Sequence, residues 1–91
     1  MLLCPSQKNP IKYHGKEIHV SDKALNAHYQ LCGLPVDSGS IEVYVSILCG
    51  KSGDEAASCM TEEEITKVTE RGIRDEANSS AGEDFWESVP C

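Results

Sequence analysis

This sequence has no apolar run of membrane-spanning length, no closely spaced cysteine pair and few aromatic rings. Each absence excludes something. The longest apolar stretch, near residues 43–49, falls far short of the ~18 residues a transmembrane helix needs. The opening Met1-Leu2-Leu3-Cys4-Pro5 has a short apolar run and no basic lead, so it does not read as an export signal. These features predict a soluble, cytoplasmic protein. The five cysteines (Cys4, Cys32, Cys49, Cys59 and Cys91) are odd in number and widely spaced. A secreted disulfide framework normally has an even count and tighter spacing, so reduced thiols are expected. Three Tyr, one Phe and one Trp leave little material for a base-stacking platform or an aromatic ligand box.

Basic residues are scarce too: 8 Lys and Arg stand against 15 Asp and Glu, a formal net charge of −7. The imbalance is confined to one half of the chain. Residues 1–53 carry five basic and four acidic side chains, whereas residues 54–91 carry three and eleven. An acidic surface repels phosphate backbones and attracts basic protein surfaces. The composition therefore argues against direct nucleic-acid binding. It favours a basic protein partner, including one whose basic surface normally holds nucleic acid.

Length allows one domain, with residues 1–10 irregular. Ile11-Lys12-Tyr13 and Glu17-Ile18-His19-Val20 alternate apolar and polar residues around His14-Gly15-Lys16. That pattern predicts a β-hairpin with Gly15 at positive φ. Ser21-Asp22 caps a helix over 23–31 that Gly33 and Pro35 end, with Leu25, His28, Tyr29 and Cys32 on one face. Asp37-Ser38-Gly39-Ser40 reads as a turn. Ile41, Val43, Val45 and Ile47 are β-branched at period two, which predicts a strand over 41–48. Residues 50–54 read as a connector. Thr61-Glu62-Glu63-Glu64 is a capping box opening a helix over 62–77, with Ile65, Val68, Ile73 and Ala77 as its apolar stripe. Gly72 weakens that helix by ~1 kcal/mol. The tail over 79–91, with Phe85 and Trp86, either docks on the body or forms a mobile arm. The expected architecture is α+β: a small antiparallel sheet with two helices in the order β-β-α-β-α.

Several constellations bear on function. Glu62, Glu63, Glu64, Glu70, Asp75 and Glu76 make the last helix acidic, and part of that charge is compensated at i,i+4 by Lys67 and Arg74. Together with Asp54, Glu55, Glu83, Asp84 and Glu87 they would form a continuous negative surface able to stand in for phosphates. In size and charge the chain is similar to small acidic inhibitor proteins, including phage-encoded anti-defence proteins aimed at bacterial nucleases. That likeness rests on composition and carries no motif, so it transfers no residues. An alternative is a small zinc-stabilised module in which His28 and Cys32, four apart on a helix, join Cys49 and Cys59. No tight Cys knuckle supports that set, and His28 and Cys32 read equally as packing residues. His14 and His19 are a weaker pair. Gly50-Lys51-Ser52 matches the end of a phosphate-binding loop, but the Gly required five residues earlier is Val45. No cysteine sits in a context that activates a nucleophile. A helix-turn-helix is disfavoured because residues 41–48 make a poor, nearly uncharged recognition helix.

The expectation is a non-enzymatic interaction module that inhibits a partner by covering its basic surface. Glu62, Glu63, Glu64, Glu70, Asp75, Glu76, Glu83 and Asp84 would supply the charge, with Phe85 and Trp86 as apolar anchors. Self-association through the sheet edge or the tail is a further possibility.

Overall fold

Local rules set the start of the chain. The computed structural model describes residues 10–81 and Trp86. Strands β1 (Ile11–Tyr13) and β2 (Lys16–Ile18) form an antiparallel pair with Ile11 opposite Ile18 and Tyr13 opposite Lys16. The two-residue loop between them has His14 at φ 46° and Gly15 at φ 84°. Positive φ at both loop positions matches the right-handed twist of the strands. Ile11, Tyr13 and Ile18 point into the core, while Lys12 and Glu17 face solvent and pair at 2.9 Å. The Lys12 ammonium holds the Glu17 carboxyl below its ordinary range, first by hydrogen bonding and then by charge.

Helix α1 (Asp22–Cys32) starts where the Ser21 hydroxyl accepts the Ala24 amide, and it ends at Gly33 in the left-handed region. Leu25 and His28 are buried, whereas Tyr29 and Cys32 are exposed. The predicted apolar face is therefore rotated toward Ala24, Leu25, Ala27 and His28.

Residues 41–48 are not a strand. They lie within helix α2 (Ser38–Cys49). Asp37, read as part of a turn, is its N-cap, with Oδ1 accepting from the Ser40 amide at 2.9 Å. Gly50 closes the helix in the left-handed region, its amide donating to the Ser46 carbonyl at 2.9 Å. Ile41, Tyr44 and Val45 fall at i, i+3 and i+4 and are buried. β-Branched residues are modest helix formers, with intrinsic penalties below about 0.7 kcal/mol each. Two caps and one well-packed face outweigh them.

The expected connector over 50–54 also becomes helical, in α3 (Gly53–Cys59). The Ser52 hydroxyl accepts the Glu55 amide at 3.4 Å, and Asp54 and Glu55 occupy the first turn, where the helix dipole favours them.

Helix α4 (Glu62–Ala81) opens with the reciprocal capping box: the Glu64 amide donates to Thr61 Oγ1 at 3.1 Å and the Thr61 amide donates to Glu64 Oε1 at 2.9 Å. It continues past residue 77 to Ala81. Ile65, Thr69, Ile73 and Ala77 are buried, and Val68 is half-buried. Gly72 is where α4 meets α2. A Cβ there would lie 2.8 Å from Tyr44 Cγ and 3.0 Å from Tyr44 Cβ, so only glycine permits the approach.

The class is α+β with element order β-β-α-α-α-α, in place of the expected β-β-α-β-α. One core joins Ile11, Tyr13 and Ile18 of the hairpin to Leu25, Ile41, Val45, Ala56, Ile65 and Ile73 of the helices. Helix α4 touches every other helix and β2. No helix among the described residues is long and apolar enough to cross a membrane.

Candidate interaction surface

The carboxylates of α4 are fasteners as well as surface charge. Glu62 Oε2 accepts the Glu17 amide of β2 at 3.0 Å. Glu70 Oε2 accepts the Ser21 amide at the start of α1, also at 3.0 Å. Glu76 Oε1 accepts the Tyr44 hydroxyl of α2 at 2.8 Å. Glu64 closes the capping box, as above. Three of these bonds tie α4 to a different element, and the fourth holds its own first turn. Each uses part of a carboxylate's acceptor capacity, since two oxygens offer about four lone-pair sites. Glu62, Glu64 and Glu76 remain exposed, and Glu70 is half-buried. Glu63 pairs with Lys67 at 3.3 Å and Asp75 with Arg71 at 4.0 Å, both at i,i+4 and both exposed. Exposed pairs of this kind add a few tenths of a kcal/mol at most.

The predicted charge residues Glu83 and Asp84, the predicted anchor Phe85, and Glu87 lie outside the described residues. Trp86 is half-buried against the core, and its amide donates to Asn78 Oδ1 at 3.3 Å. Its ring lies 6.0 Å from Lys23 Nζ. It also lines a groove of about 540 Å³ with Lys67, Glu70, Arg71, Arg74 and Asp75. The cations of α4 thus gather on the Trp86 side.

A second polar cluster lies where the hairpin turn meets α2 and α3. His14 Nδ1 is 2.9 Å from Asp54 Oδ1, and its Nε2 is 3.7 Å from Glu42 Oε1. The neighbouring Tyr13 ring meets the imidazole edge-on at 4.7 Å. Burial, then the charges of Glu42 and Asp54, push the Tyr13 phenol above its ordinary pKa. His14 faces these carboxylates and not His19.

Of the alternative zinc set, His28 and Cys32 are in contact. His28 Nδ1 lies 3.1 Å from the Leu34 carbonyl. A carbonyl only accepts, so Nδ1 carries the proton and Nε2 is left to accept from the Cys32 thiol at 3.8 Å. Cys49 ends α2 and Cys59 ends α3. No group of three or more His, Cys, Asp or Glu is placed to hold a metal ion among the described residues. Cys32, Cys49 and Cys59 are free thiols.

Sequence reasoning missed the outer face of α2. Val43 is 53% exposed and Ile47 is 71% exposed, one turn apart, with Leu48 beside them. As a strand, 41, 43, 45 and 47 would share one face; as a helix, 41 and 45 turn inward and 43 and 47 turn outward. Two shallow grooves meet at Ile47. One, of about 310 Å³, is lined by Tyr44, Ile47, Leu48, Gly72, Asp75 and Glu76. The other, of about 400 Å³, is lined by Gly39, Glu42, Val43, Ser46 and Ile47. The sequence did hold a signal for this face: α2 is apolar nearly all round, more than one buried face requires.

Tyr44 anchors the inner side of the face. Burial, reinforced by its hydrogen bond to Glu76 and by that carboxylate's charge, raises its phenol pKa well above the ordinary value. The His28 and Tyr44 rings meet edge-on at 6.2 Å.

Compared with protein-family models, curated proteins and solved structures, the chain matches none.

Proposed function

We propose that this protein is a non-enzymatic acidic interaction module that inhibits a partner by binding its basic, nucleic-acid-binding surface. The observation that supports this reading most is the crowding of exposed carboxylates on two successive helices: Asp54 and Glu55 on α3, and Glu62, Glu63, Glu64, Asp75 and Glu76 on α4. Phosphate-like charge on a folded scaffold competes with nucleic acid for Lys and Arg side chains.

Glu62, Glu64 and Glu76 also accept hydrogen bonds that hold the fold, so the test uses two that carry no such bond among the described residues. Glu55 and Glu63 are exposed, and the only salt bridge either makes among the described residues is that of Glu63 with Lys67. The double reversal Glu55→Lys/Glu63→Lys is expected to keep the helical circular dichroism of the wild type. It should lose salt-sensitive capture of purified basic nucleic-acid-binding proteins, and with it the ability to release labelled DNA from them. Undiminished release by the double variant would refute the proposal.

A further inference from the structure

We infer that the outer face of α2 is a docking groove for an amphipathic helix of a partner, one whose apolar anchors are flanked by Lys or Arg. This rests on the acidic-module reading and adds to it where the partner sits and what it must look like.

Val43 and Ile47 are exposed and stand outside the core cluster, and β-branched residues are not favoured at exposed helix positions. A contiguous apolar stripe at i and i+4 on a helix surface is the form that receives i, i+3, i+4 and i+7 anchors of a second helix. Exposed apolar patches with a polar rim mark interaction sites. The rim decides the partner's charge. Glu42 borders the stripe on one side, and Asp75 and Glu76 border it on the other. Among the described residues, neither groove is lined by Lys or Arg. The Glu42 side chain is 52% exposed, so its carboxylate can meet a partner cation. An acidic partner would face three carboxylates, of which Asp75 alone has a Lys or Arg paired to it among the described residues, Arg71 at 4.0 Å. An uncharged one would leave the rim unused.

The test uses the full chain and three probes: a helix-forming Leu/Lys amphipathic peptide, a scrambled peptide of the same composition, and poly-lysine. Fluorescence anisotropy of the labelled probes reports binding to wild type, to Val43→Gln/Ile47→Gln and to Glu55→Lys/Glu63→Lys. Ile47→Gln alone is a second check, since that side chain is largely in water already. The groove predicts that the amphipathic peptide binds more tightly than its scramble. It also predicts that the α2 variant weakens the peptide by about tenfold or more, as loss of central apolar anchors does, while poly-lysine binding stays within about twofold. Equal binding of peptide and scramble, or an α2 variant that binds like wild type, overturns the groove. If Glu55→Lys/Glu63→Lys then still loses both peptides and poly-lysine, the acidic-module reading survives without it. If only the α2 variant matters, the groove stands and the acidic reading falls. A concentration-dependent dimer in sedimentation that Ile47→Gln dissociates also overturns the inference, because a second copy then covers the face.

Discussion

Replacing Gly72 with Ala sets two effects of opposite sign against each other, and the packing of α2 on α4 decides which wins. In a free helix the change is favourable by ~1 kcal/mol, because Ala loses less backbone entropy than Gly and shields the backbone. Here the new methyl would overlap the Tyr44 ring, 2.8 Å from Cγ and 3.0 Å from Cβ. Tyr44 Cβ cannot swing aside without moving α2 itself. Overpacking typically costs ~1–3 kcal/mol, and a contact this close to the backbone belongs at the upper end. Displacing Tyr44 also loosens the 2.8 Å hydrogen bond to Glu76, a further ~1 kcal/mol. Net destabilisation of about 3 kcal/mol is expected, or a fall of roughly 15 °C in Tm for a chain of this size. Urea unfolding of wild type and Gly72→Ala measures it. Gly39→Ala is the internal control: its Cβ would meet only Asp37 Oδ1 at 3.4 Å, so that variant should be neutral or slightly stabilised. A second control puts Gly72→Ala into a Tyr44→Ala background, where the methyl has room and the helix-propensity gain of ~1 kcal/mol should return. A Gly72→Ala protein more stable than wild type would refute the α2–α4 contact, and with it the helical placement of residues 38–49.

Two further outcomes test the same frame. Asp37→Ala removes the N-cap of α2 and should cost about 1 kcal/mol, with reduced helical ellipticity near the transition; no change would deny Asp37 that role. Tyr44→Phe removes the hydroxyl bonded to Glu76 and should cost about 1 kcal/mol at neutral pH. Its pH dependence has a definite sign. The folded pKa of Tyr44 is raised, so its contribution is complete below the unfolded value of about 10 and is lost as pH climbs beyond it. Wild-type stability should therefore fall more steeply above pH ~10 than that of Tyr44→Phe, as read from urea midpoints. Parallel curves would remove Tyr44 as the cause.

Elements whose signals are local were legible in the order of residues alone. The hairpin follows from alternation around a glycine turn, since Ile11, Tyr13 and Ile18 must share a face and His14-Gly15 can adopt positive φ. The start of α1 follows from Ser21-Asp22, and the start of α4 from Thr61 and Glu64, each a contact spanning three residues. Residues 41–48 could not be settled that way. Their period-two pattern fits a strand, while Asp37 and Gly50 serve equally as turn residues or as helix caps. The choice was made by partners far along the chain: Ile41, Tyr44 and Val45 are buried in the common core, and the missing side chain of Gly72 on α4 leaves space for Tyr44. Tertiary structure also assigned the carboxylates. Glu62, Glu70 and Glu76 hold groups from three other elements, and no spacing within α4 reveals a donor that lies 30 or more residues away. The exposed Val43–Ile47 stripe has the same origin. A residue's place inside or outside a helix is fixed only when another surface covers one side of it, and for α2 that surface is α4.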